Sequence, residues 1–151
     1  FRIMNAADKL RLRVKEMQKI INPTIKATVN ENKPLLIYYQ TGEQWYGKGE
    51  DSKGFDIVPS YALSTIKSKR NKGQKTSNVT LRDTGELYKS IKIDAQTNKM
   101  IISANAEYFK YLVVHYGSNI LLGIQRSNLK KFVENEVLPN LKQEFKAIIA
   151  K

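Results

Sequence analysis

The sequence predicts an α+β fold: a small antiparallel β-sheet with a central hairpin, packed against N-terminal and C-terminal helices. Three observations carry this expectation. Ser90–Ala95 alternates with period two, Met100–Ala104 does so more loosely, and Thr97-Asn98-Lys99 between them reads as a turn. Apolar residues recur at helical spacing towards both ends of the chain. The 151 residues, 41% of them hydrophobic, suit a single domain with an ordinary core, and no repeat, low-complexity tract or long linker divides them.

Taken in order, Asn5–Ile21 reads as a helix with Asn5 as N-cap and Leu10, Val14, Met17 and Ile21 along one face. Pro23 is expected to stop it near Asn22. Asp8 and Glu16 interrupt its basic face, so a packed helix is favoured over a membrane-surface one. Pro34 suits the first position of a second helix, with Leu35, Tyr38, Tyr39, Gly42, Trp45 and Tyr46 at helical intervals. A strand through Leu35–Tyr39 is the rival reading, because that run is aromatic and apolar. Gly47–Gly54 is a glycine-rich loop. It lacks the leading strand and closing Gly-Lys-Ser/Thr of a phosphate cradle, and Glu50 and Asp51 lack the ligand spacing of a calcium loop.

Phe55–Val58 is a short strand candidate ending at Pro59, and Tyr61–Ser68 a short helix. The densest basic stretch follows: Lys67, Lys69, Arg70, Lys72 and Lys75, with no acid among them, in a flexible loop around residues 67–78. Two readings stay open for it. One is an arm that neutralises phosphates or docks a neighbour, and the other a solvated loop extended by self-repulsion. Asp83-Thr84-Gly85-Glu86 reads as a capping box opening a short helix over Leu87 and Tyr88, just ahead of the hairpin. Asn105–Tyr116 suits a helix stopped by Gly117, and Ile120–Ile124 a last short strand. Ser127 is expected to cap a final helix towards Lys151, kinked or restarted at Pro139.

Composition narrows function. Lys and Arg total 26 against 14 acids, a net charge of +12, which favours an anionic partner. There is no cysteine, so disulfides and thiolate metal sites are excluded. No apolar run approaches a membrane span, and no charged-then-apolar leader is read, so neither membrane partner nor secretory signal is expected. The single histidine, His115, sits beside Val113, Val114 and Tyr116 and reads as an interior or interface residue. Asp83 and Glu86 read as helix-end groups, and Asp56 and Asp94 stand apart in sequence. No nucleophile–base pair or ligand cluster emerges, so no catalytic residue, metal or cofactor is expected.

Three pieces of sequence stand out: Pro59-Ser-Tyr61 with Thr65 and Lys67, then Val79–Ile91 with Asp83, Thr84, Gly85, Leu87 and Ser90, then Tyr111–Ser118 with Tyr116 and Gly117. Together they resemble the tail-completion and neck proteins of tailed bacteriophages. They occur in the family's order over roughly residues 54–123, a little under half the chain. The apolar Ile-Leu-Leu-Gly-Ile run that follows the last piece departs from the pattern, and the N-terminal third matches nothing in it.

The resemblance implies a non-enzymatic virion subunit, assembled in the host cytoplasm. It would form a ring-like homo-oligomer and dock to portal, tube or other neck and tail proteins. Basic residues facing the lumen of such a ring would tolerate or contact packaged DNA. Tyr38, Tyr39, Trp45, Tyr46 and Tyr111 are of the types enriched at subunit contacts, and equally ordinary core material. The alternative is a basic nucleic-acid-binding module unrelated to virions, and a weaker third reading is a small enzyme of unrecognised type.

Overall fold

The computed structural model describes residues 5–117 and 121–151. It is α+β: a two-stranded antiparallel sheet packed among N-terminal and C-terminal helices.

Helix α1 spans Ala6–Glu31, and Asn5 caps it by accepting the backbone N–H of Asp8 at 2.8 Å. It runs straight past the expected stop at Pro23. A mid-helix proline forfeits one hydrogen bond and costs ~3 kcal/mol or more. Here one face of the turns beyond it is buried, which offsets that loss. Thr28 and Val29 face inward, and Asn140 donates to the Thr28 hydroxyl at 3.0 Å from helix α7 (Leu138–Ile149). Tertiary packing thus outweighs local propensity.

Helix α2 (Lys33–Tyr38) begins with Pro34 in its first turn and passes directly into a π-helix over Tyr39–Lys48. The strand alternative for Leu35–Tyr39 is therefore set aside. In i→i+5 geometry, residues four and five apart flank one face, so Gln40, Gln44 and Trp45 all point inward. Gly49 ends the π-helix at φ +70°, and a Cβ there would lie 2.6 Å from the Asn78 amide, so both backbone and space demand glycine. The expected strand Phe55–Val58 is reduced to one bridge between Glu50 and Asp56. Buried Asp51 explains this. Its carboxylate accepts the Lys53 and Phe55 N–H groups at 2.8 and 3.0 Å, bending the chain into a tight turn.

Helix α3 covers Leu63–Asn71, three residues further than expected, so residues 67–71 of the supposed flexible loop around 67–78 are helical. Helix α4 (Glu86–Ser90) leads into β1 (Ile91–Ala95), which pairs with β2 (Met100–Ala104) in the register Ile93 opposite Ile102. Ile91, Ile93 and Ala95 face inward while Lys92 and Asp94 face out, as the alternation requires. An isolated hairpin is marginal in water. This one is held by apolar clusters that meet at Ile37 and Ile102. One gathers Val29, Leu36, Tyr39, Ile93, Ile124 and Phe132, the other Trp45, Val79, Leu87, Ile91 and Leu121.

Helix α5 spans Phe109–Tyr116 and ends at Gly117, φ +93°. Helix α6 (Arg126–Phe132) begins after Gln125, so Ser127 lies inside the helix rather than capping it. A second π-helical turn, Val133–Val137, separates α6 from α7 just before Pro139. Widening the helix there relieves the clash between the proline ring and the carbonyl four residues earlier. Antiparallel to α1, α7 packs along it. No helix of the described residues is long and apolar enough to cross a membrane.

Candidate functional site

The basic stretch is the foremost site candidate, and the structure engages three of its five cations, Lys69, Lys72 and Lys75, with oxygens of the chain itself. Lys69, only 7% exposed, donates to the Arg82 carbonyl and to Gln74 Oε1 at 3.1 Å, and lies over the Tyr61 ring. The Lys72 ammonium meets Asp83 Oδ1 at 2.7 Å. Lys75 donates to the carbonyls of Tyr46 and Gly47 at 2.7 and 2.8 Å. These are terminal carbonyls of the first π-helix, where a cation also complements the helix dipole. Lys67 and Arg70 remain on the exposed side of α3. The stretch is therefore a clasp that fastens residues 72–83 to the body of the protein rather than a free arm. Each of these lysines finds an oxygen that only the folded chain places beside it.

The same clasp revises the capping box. Asp83 Oδ1 accepts from Lys72 and from Gln74 Nε2, and these two bonds, the first above all, hold its carboxyl below the usual carboxylate range. Gly85 occupies the N-cap of α4 at φ +87°, and Glu86 N–H bonds to the Thr84 hydroxyl at 3.3 Å. A distant group completes the cap, with the Tyr108 hydroxyl accepting Leu87 N–H at 2.9 Å. Leu87 is fully buried, and Ser90 Oγ donates back to the Leu87 carbonyl at 2.8 Å.

The three pieces named above by resemblance converge here. The Tyr61 hydroxyl accepts Thr80 N–H at 2.9 Å, and the Tyr88 hydroxyl donates to the Thr80 carbonyl. Tyr61, Tyr88, Leu112 and Tyr116 all pack around Trp45 and Leu87. Burial raises the Tyr88 and Tyr116 phenols above their ordinary range. Ser118 and Ile120 lie outside the described residues. His115 is exposed, which sets aside the interior half of the interior-or-interface expectation, and it packs edge-on to Tyr116 with ring centres 4.6 Å apart. Of the candidate contact aromatics, Tyr39 and Trp45 are core, whereas Tyr38, Tyr46 and Tyr111 are exposed.

The expected strand over Ile120–Ile124 is absent from residues 121–124, because its hydrogen-bonding role is taken by side chains. Gln40 accepts Gly123 N–H at 2.7 Å and donates to the Leu121 carbonyl at 3.2 Å. Gln44 accepts Gln125 N–H at 2.9 Å and donates to the Gly123 carbonyl at 2.8 Å. Trp45 Nε1 adds a bond to the Leu121 carbonyl at 3.1 Å. Two glutamines thus imitate a neighbouring strand. Gly123, at φ +140° and with Ser52 2.8 Å from where its Cβ would stand, allows the close approach.

A shallow notch of about 180 Å³ lies beside the clasp, bordered by Tyr46, Gly73, Gln74, Lys75, Arg82 and Asp83. The Arg82 guanidinium lies 5.6 Å from the Tyr46 ring centre and 5.9 Å from that of Tyr88. Reading the sequence missed both Arg82 and the glutamine pair. Glutamines four apart within a helix of aromatics were the signal for the latter, since buried amides demand partners. Asp56 and Asp94 remain apart from any acidic cluster: no group of three or more His, Asp or Glu residues able to hold a metal occurs among the described residues. No protein family, curated protein or solved structure matches this chain.

Proposed function

We propose that this chain is a virion structural subunit of the tail-completion or neck kind, acting by self-association and by docking to portal or tail partners. The observation that supports this reading best is the convergence of the three resembling segments into one packed unit around Leu87, Tyr61 and Tyr88. Segments that resemble a family in order, and also pack together, are better support than dispersed matches.

The surface adds to this support. Val114 is 84% exposed and Tyr111 67% on α5, and Leu10 is 63% exposed on the outer half of α1 with Leu12 and Val14 near it. Apolar side chains left open on two helices suit burial against another protein. The reading assigns function to surfaces rather than to bond-making chemistry.

Sedimentation of the purified chain over a range of concentrations tests self-association. The expected result is a larger species that Val114→Asp combined with Leu10→Asp shifts towards monomer. A chain that stays monomeric at high concentration, together with infectious and fully joined particles after deletion of its gene, would overturn the proposal.

A further inference from the structure

Arg82 is the cation that the clasp leaves unused. Among the described residues no carboxylate pairs with its guanidinium and no carbonyl accepts from it, whereas Lys69, Lys72 and Lys75 each have oxygen partners. It is exposed, and the Tyr46 and Tyr88 rings lie beside it, their centres 5.6 and 5.9 Å from the guanidinium carbon. Attraction to two rings restricts where the guanidinium swings. Its planar fork of N–H donors matches two oxygens of one phosphate.

The surroundings suit the same ligand. The notch holds about 180 Å³, room for a phosphate group but not for a nucleoside buried with it. Lys75 also lines it, its ammonium 5.4 Å from the Tyr46 ring centre. The one acid present, Asp83, is already neutralised by Lys72. Exposed Lys67 and Arg70 extend the positive surface along α3. A row of cations beyond a single notch favours a polyanion over a small free anion, and a net charge of +12 draws such a chain in.

We propose that Arg82, beside the Tyr46 and Tyr88 rings and near Lys75, grips a backbone phosphate of nucleic acid without reading its sequence. This site is separate from the apolar faces of α1 and α5, and it stands whether or not the chain is a virion subunit.

The test is fluorescence anisotropy of the full chain with short labelled DNA duplexes of two unrelated sequences, across a salt series. Both duplexes are expected to bind equally and to weaken steeply with salt. Arg82→Gln should weaken binding roughly fivefold to tenfold and make the logarithmic salt slope shallower by about one. Arg82→Lys keeps the charge but loses the fork, so it should bind less tightly than the wild type while keeping most of the slope. Emission from the single Trp45 confirms that each variant is folded. Unchanged affinity in both Arg82 variants would overturn the proposal. So would competition by poly-glutamate as effective as that by unlabelled duplex, which would assign the notch to acidic protein instead.

Discussion

The first π-helix is gripped from two sides, by a glutamine clamp on its inner face and by a lysine clasp at its C-terminal end. Gln40 and Gln44, both fully buried, hold residues 121–125 by their backbone. Lys69, Lys72 and Lys75 hold residues 72–83, mostly from the surface. Both tie segments distant in sequence to one scaffold, yet they use opposite chemistry. Inside, a charge would lose its hydration, so neutral amides that donate and accept at once complete the backbone's hydrogen bonds. Outside, an ammonium stays hydrated and can fasten a carbonyl or carboxylate at little cost. Counting lysines in such a chain therefore overstates the charge offered to a partner.

Breaking the buried clamp should have the largest effect. Gln44→Leu keeps the bulk but leaves the Gly123 carbonyl and Gln125 N–H unpaired and buried, for a loss of about 3 kcal/mol. Urea denaturation followed by Trp45 emission measures it, and the loss should not vary with salt. A loss under about 1 kcal/mol would mean that the clamp follows the fold rather than holding it.

Lys69→Met sits between the two regimes, because Lys69 is buried but charged. It removes the donor to the Arg82 carbonyl and to Gln74 while keeping the aliphatic contact with Tyr61, and about 2 kcal/mol is expected. Protease cleavage within residues 72–83 should rise in step with that loss.

The exposed Lys72–Asp83 pair should matter least. Asp83→Asn is expected to cost less than about 1 kcal/mol near neutral pH, and less again at high salt. Because folding lowers the Asp83 pKa, the pair's contribution is present above the ordinary carboxylate pKa of about 4. It is lost as pH falls through the lowered folded value. Denaturation midpoints of the wild type and Asp83→Asn should therefore converge in acid. A gap that persists there would assign the effect to something other than this ion pair.

Much of the fold was legible because it follows local rules. The hairpin at Ile91–Ala104 declared itself by alternation, α5 by its glycine stop, and α1 by Asn5 and its apolar spacing. Three of the errors have a common cause. Pro23 looked like a helix end, Ile120–Ile124 like a strand, and Asp83 like half of a capping box, and in each case a partner far along the chain prevailed. Asn140 and α7 carry α1 past the proline, Gln40 and Gln44 replace the missing strand, and Lys72 takes the carboxylate. The candidate site was legible only as a composition. Lys67 and Arg70 stayed outward, but Arg82, a cation beside two tyrosine rings, gave no sign in a sequence where it is one basic residue among 26.

Periodicity and charge, which a residue and its near neighbours carry by themselves, settled where the hairpin lies, that helices flank it, and that the surface is basic. Folding alone decided which polar groups would meet, since Gln40 and Leu121 are 81 residues apart and Lys69 and Arg82 are 13. Backbone geometry repeats every two or 3.6 residues and so leaves a pattern in the sequence. A side-chain hydrogen bond across a closed loop has no period, and it comes into existence only when the two segments are brought together.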